Sequence, residues 1–155
     1  MNNHSNNIDS NQELYSLNES NAKVIDKINE ALTIRGRAEA QQSKKYGSFQ
    51  EGTNYFVNKD GEIIYMCIFS YVLEGEDDFN LDFLKTIELN HIKRFVLLLD
   101  KLVTIEYLCH LTSLEEIFII TNNEVHLNDL GKLKLLNTLE LNSPFQSNLV
   151  PLKDL

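Results

Sequence analysis

Apolar residues recur at a constant interval of 22 residues through the C-terminal half of the chain. When residues 92–113, 114–135 and 136–155 are aligned, apolar side chains fall in the same columns each time, and only Ser147 breaks the pattern. The columns are Ile92/Leu114/Leu136, Phe95/Ile117/Leu139, Leu97/Ile119/Leu141, Val103/Val125/Ser147, Ile105/Leu127/Leu149, Leu108/Leu130/Leu152 and Leu111/Leu133/Leu155. A fixed period in this range is typical of a solenoid, in which each unit buries its apolar edge against its neighbours.

Each repeat opens with a run that predicts a short β-strand. In the middle repeat, Ile117 and Ile119 alternate with Phe118 and Ile120. Successive side chains of a strand point to opposite faces, so we expect the first pair to point into a core and the second pair to point outward. Residues 125–133 carry apolar side chains at mixed spacings, which favours a short helix or an irregular turn that returns the chain.

The run from Leu114 to Asn122, LEEIFIITN, resembles the L-x-x-L-x-L-x-x-N core of leucine-rich repeats. Its length and its additional apolar columns are most similar to the short internalin-like subclass with 22 residues per repeat. The resemblance is strong from about residue 92 onward and extends weakly back to Glu62. In the two repeats that flank this run, Asp100 and Pro144 stand where the family has asparagine. It implies an α/β leucine-rich-repeat solenoid, a curved parallel sheet with one strand per repeat on the concave side.

The N-terminal part has a different pattern and is expected to cover the open end of the solenoid. One apolar stripe predicts a helix within residues 21–42: Val24, Ile25, Ile28, Ala31 and Leu32. Asp60 and Gly61 between two β-rich runs predict a hairpin whose second arm becomes the first solenoid strand. We therefore expect a disordered polar tail (1–19), a cap made of the helix and the hairpin (20–61), and a solenoid of about four coils (62–155).

The outward positions of the predicted strands indicate a surface for a protein partner. Two of the three outward columns are apolar through the first three coils, whereas a solvated sheet face is mostly polar. A contiguous exposed apolar patch usually marks a contact site. The predicted partner-binding residues are Tyr65, Phe69, Arg94, Val96, Leu98, Glu116, Phe118 and Ile120, with Arg94 and Glu116 at the charged edge.

Two other interpretations of this surface stay open at the level of sequence. The N-terminal helix could lie across the surface and bury it, although its stripe from Val24 to Leu32 also suits packing on the first coil. A slip of one residue in strand register would exchange every inward and outward side chain.

Charge and composition narrow the classes of partner. The net charge of −9 and the pI near 4.8 argue against nucleic acid and anionic membranes, which would repel an acidic chain. The N-terminus has neither a basic start nor an apolar run, so we expect no signal peptide and a cytoplasmic protein. Cys67 and Cys109 lack paired spacing and are expected to be reduced and buried.

The reactive side chains do not form a recognisable catalytic or metal-binding motif. Cys109 and His110 have no second pair of metal ligands, and nothing orients Ser113 as part of a triad. The acidic segment 74–78 lacks the alternating ligand spacing of a calcium loop. We therefore expect no enzyme activity, no metal and no cofactor.

The sequence as a whole predicts a non-catalytic protein–protein interaction module with an unidentified protein partner. One alternative is the sensor part of a larger signalling protein, such as a Roco-type GTPase, because the last repeat ends at Leu155 without a polar cap. The same uncapped coil would allow two copies to associate. Another alternative is a small acidic inhibitor or immunity-type protein that blocks a basic toxin or enzyme.

Overall fold

A computed structural model describes residues 14–34, 37–47, 52–70, 81–99, 104–128 and 130–144. Within these ranges the chain forms one helix, α1 (Glu19–Ile34), and one six-stranded sheet. The strands are β1 (Gln41–Gln42), β2 (Thr53–Val57), β3 (Ile63–Ser70), β4 (Arg94–Leu99), β5 (Glu116–Ile120) and β6 (Thr138–Asn142). They lie in sequential order, and only β2 and β3 pair antiparallel. The fold is therefore α/β with an open, mostly parallel sheet.

Helix α1 is amphipathic and packs its apolar stripe into the main core. The stripe residues are all buried: Val24, Ile25, Ile28, Ala31 and Leu32. The side-chain oxygen of Asn18 accepts a hydrogen bond of 2.9 Å from the backbone N–H of Asn21, which satisfies one of the free donors of the first turn. The helix thus begins at Glu19, one residue before the predicted boundary of the cap.

The predicted helix over residues 21–42 is too long. Helix α1 ends at Ile34, where the apolar stripe stops, and residues 37–40 are not helical. The backbone N–H of Ala40 donates to the side-chain oxygen of Asn29 (2.8 Å), and Gln41–Gln42 then pairs in parallel with β2. Contacts with the Asn29 side chain of α1 and with β2 take the place of a longer helix, so tertiary contacts override the local helix propensity of this polar segment.

Strands β2 and β3 form the predicted hairpin. Gly61 has φ +77°, a left-handed conformation that suits glycine, and its N–H donates to the carbonyl of Asn58 (3.1 Å). The side-chain oxygen of Asn58 also accepts from the N–H groups of Asp60 (2.9 Å) and Glu62 (3.0 Å). The turn therefore joins β2 to the first of the parallel strands.

The inward columns predicted from the 22-residue interval stand side by side in the sheet. Phe95 pairs with Ile117, which pairs with Leu139, and the next inward row is Leu97, Ile119 and Leu141. The residues of these rows on β4 and β5 are at most 1% exposed, while those on β6 are partly buried. Short 3-10 turns follow the strands at Asp82–Thr86, Glu106–Leu108 and Leu130–Lys132 and complete the main core. The register prediction for β4 to β6 is confirmed.

Some predictions fall on residues outside the described ranges. These include most of the polar tail (1–13), the acidic segment 74–78, Asp100 and Val103, and the last columns of the final repeat (147–155). Among the described residues, no helix is long and apolar enough to cross a membrane.

Candidate docking surface

The sheet has a second face, opposite the main core, which we call the outward face. Parallel pairing places three rows of side chains across β3, β4, β5 and β6 on this face. The rows are Tyr65/Arg94/Glu116/Thr138, Cys67/Val96/Phe118/Glu140 and Phe69/Leu98/Ile120/Asn142. All eight residues predicted to bind a partner therefore lie on one face, and the one-residue slip did not occur.

Tyr65 and Val96 correct part of the predicted surface. They are 0% and 1% exposed and form, with Cys67, a small second apolar core on the outward face. Tyr65 is shielded because Phe56 on the antiparallel strand β2 lies opposite it and the Tyr46 ring packs 5.6 Å from its own ring. Tyr65 and Val96 therefore pack beneath the partly buried residues of this face and cannot contact a partner.

The segment that covers this part of the face is not the helix. The stripe of α1 belongs to the main core on the other face. Tyr46, which follows β1, packs instead against Phe56 with ring centroids 5.8 Å apart. The sequence analysis did not predict a role for Tyr46. The feature that could have indicated one is that Tyr46 is a lone aromatic residue before Gly47 in a polar segment.

Arg94 and Glu116 form an internal ion pair. The Nε and Nη2 atoms of Arg94 lie 2.6 and 2.5 Å from Oε2 of Glu116, and the two side chains are 25% and 28% exposed. The guanidinium carbon is 4.7 Å from the ring centroid of Phe118 and 5.6 Å from that of Tyr46. Arginine between two aromatic rings and bound to a carboxylate has little freedom. The pair thus holds Phe118 and Tyr46 in place, with its charges already neutralised.

Four of the apolar side chains predicted to bind a partner keep part of their surface exposed. We call them the apolar strip: Phe69, Leu98, Phe118 and Ile120. The first three are partly buried, whereas Ile120 is 45% exposed. Glu140 and Asn142 on β6 are exposed and border the strip. The accessible apolar surface is therefore smaller than predicted and lies on β3, β4 and β5.

Both cysteines are buried, and His110 contacts a backbone carbonyl. Burial raises the pKa of the Cys67 thiol to about 11, so it stays protonated at neutral pH. The Cys109 sulfur lies 3.9 Å from the Ile105 carbonyl oxygen, while His110 Nε2 lies 3.1 Å from that of Ile87. The described residues contain no group of three histidine, cysteine or acidic side chains that could hold a metal ion.

The fold and this surface define a class of protein: an α/β domain with an open, mostly parallel sheet and an accessible apolar strip on one face. No protein-family model matches the chain, and a search of curated proteins finds no match. The geometry of the outward face is therefore the basis on which a function can be inferred.

Proposed function

We propose that this chain is a non-catalytic interaction module that holds a protein partner on the outward, concave face of a leucine-rich-repeat solenoid. The observation that carries the proposal is the apolar strip, above all Ile120, which is 45% exposed beside Leu98 and Phe118. Binding of a partner that removes these apolar side chains from water is favourable, by about 25 cal/mol for each Å² of apolar surface that becomes buried. A contiguous patch of this kind is typical of an interaction site.

Recurring backbone hydrogen bonds support the repeat assignment. The N–H of Lys93 donates to the Ile64 carbonyl (2.9 Å), that of Glu115 to Lys93 (2.8 Å), and that of Asn137 to Glu115 (2.9 Å). The last two bonds join equivalent positions of successive repeats. A solenoid requires such equivalence, because each unit contacts mainly its neighbours.

The fixed geometry of the strip suits binding. Phe118 packs under the Arg94 guanidinium, and its own strand is anchored in the main core through Ile117 and Ile119, both 0% exposed. A partner that docks here does not have to immobilise these groups. Preorganisation of this kind lowers the entropic cost of association.

Substitution of Ile120 by glutamate tests the proposal. Tagged wild-type protein and the Ile120→Glu variant would be used to capture proteins from extracts of the cells that express the chain. Leu135→Glu is the matched control, because Leu135 is also an exposed aliphatic residue (57%) but lies before β6 and outside the strip. Both variants should keep the circular dichroism spectrum of the wild type.

The expected result is one partner that the wild type and Leu135→Glu retain and Ile120→Glu loses. A partner that Ile120→Glu still retains would place the binding surface elsewhere and refute the proposal.

A further inference from the structure

We infer that the partner segment accepted by the apolar strip is itself apolar and ends in a lysine or arginine that pairs with Glu140. This inference rests on the proposed function and specifies the chemistry of the partner. It follows from the position of Glu140, from the lack of an ion-pair partner for it among the described residues, and from the charge of the whole chain.

Glu140 lies at the border of the apolar strip. It pairs in register with Phe118, and its neighbour two residues on, Asn142, pairs with Ile120. Adjacent strands are about 4.8 Å apart, and diagonal neighbours are about 7 to 8 Å apart. A side chain that packs on Phe118 or Ile120 would therefore bring the next residues of its own chain within reach of the Glu140 carboxylate.

The charge of Glu140 is not compensated within the described part of the chain. Glu140 is exposed and makes no hydrogen bond or ion pair with any described residue. The two glutamates at the start of β5 are paired, Glu116 with Arg94 and Glu115 with Lys93 (3.1 Å). The surface thus has a neutral end at β4 and β5 and a negative end at β6.

This asymmetry selects a basic partner over an acidic one. A carboxylate that borders apolar side chains loses water when a partner covers them, which is unfavourable unless a cation replaces that water. The net charge of −9 adds a field that attracts cations and repels anions. An arginine or lysine opposite Glu140 should therefore strengthen binding by about three- to tenfold relative to a neutral residue.

Two labelled peptides test the inference. Both would have about ten residues, a fluorescein label and the same alternating leucine–serine core, and they would differ only at the last position, arginine in one and glutamate in the other. Fluorescence anisotropy at low salt would measure the affinity of each peptide for the wild type and for Glu140→Gln. Glu88→Gln is the matched control, because Glu88 is an exposed glutamate that precedes β4 and lies outside the outward rows.

The inference expects the arginine peptide to bind at least about fivefold more tightly than the glutamate peptide. Glu140→Gln should remove most of that difference, and Glu88→Gln should leave it unchanged. Ile120→Glu should abolish the binding of both peptides.

Other outcomes overturn the inference in ways that separate it from the proposed function. Equal affinity for both peptides, with loss of both in Ile120→Glu, would refute the basic partner and leave the docking function supported. No binding of either peptide up to about 1 mM would refute the inference, and the capture experiment would then decide the function by itself. Dimers in light scattering that Ile120→Glu dissociates would mean that a second copy of the chain occupies the strip.

Discussion

The Arg94–Glu116 ion pair should stabilise the fold more than an ordinary surface ion pair does. Two nitrogen atoms of Arg94 lie within 2.6 Å of one carboxylate oxygen, and the guanidinium lies over the Phe118 and Tyr46 rings. We therefore predict that Arg94→Met and Glu116→Gln are strongly coupled in a double-mutant cycle.

The expected coupling energy follows from the partial burial of the Arg94–Glu116 pair. Exposed ion pairs contribute about 0.2 to 1 kcal/mol, whereas breaking a fully buried pair costs about 3 to 5 kcal/mol. With a quarter of each side chain exposed, the coupling between Arg94 and Glu116 should be about 1.5 kcal/mol. Arg94→Met alone should cost about 2 to 3 kcal/mol, because it also loses two cation–π contacts of about 0.5 kcal/mol each.

Urea unfolding followed by circular dichroism would give the four free energies of the cycle. The neighbouring pair Lys93–Glu115 provides a matched cycle, since it joins residues directly before the same two strands, but its side chains are 53% and 38% exposed. Its coupling energy should stay below about 0.5 kcal/mol. If the two cycles give equal coupling energies, burial and ring stacking do not strengthen the Arg94 pair and the reasoning is wrong.

Three further predictions concern the core, the turns and the thiol. Ile117→Ala should cost about 3 kcal/mol in urea unfolding, because the side chain is 0% exposed and its removal leaves a cavity; a cost below about 1 kcal/mol would contradict the packing. Gly61→Ala should lower the free energy of unfolding by more than Gly52→Ala. Both glycines have a positive φ (+77° and +87°), but a Cβ at Gly61 would lie 2.6 Å from a backbone nitrogen, whereas a Cβ at Gly52 would meet open space. Equal costs would argue against that close approach. Burial raises the pKa of Cys67 to about 11 and also raises that of Tyr65, so the unfolded chain loses these protons first. The stability that these two groups contribute should be constant well below pH 9 and should fall as the pH rises above about 9. Unfolding midpoints across that range would measure the decline, and Cys67→Ala should make it shallower.

The parallel register of β4 to β6 could be predicted from sequence because it depends on a repeated interval. Each apolar column occupies one position of the repeat, so Phe95, Ile117 and Leu139 had to become neighbours once each repeat formed one strand. The apolar stripe of α1 and the glycine turn of the hairpin are local signals of the same kind. Such elements are predictable because the cause lies within the segment itself.

The cover on the outward face could not be predicted because it depends on a contact between distant segments. Tyr46 lies in a polar stretch without periodicity, yet its ring shields Tyr65 and contacts Arg94. The burial of Val96 is likewise a tertiary property, since an outward valine in a strand has the same sequence pattern whether it is covered or open. The sequence therefore placed the eight predicted residues on one face of the sheet, as the structure does, but overstated how much of that face is accessible.

Ile120 is an apolar residue of the outward face that internal packing leaves open, since it is 45% exposed. Along the middle row, burial decreases from Cys67 and Val96, at 0% and 1% exposed, through partly buried Phe118 to exposed Glu140. Side-chain chemistry follows burial at both ends of the row, apolar where the face is covered and charged where it is open. Ile120, which pairs with Leu98 and Asn142 in the next row, departs from this trend because it is apolar and exposed. A face selected only for contact with water would carry polar residues there. Ile120 lies close to Glu140, which has no ion-pair partner among the described residues, and the proposed apolar segment with a basic end would account for both features.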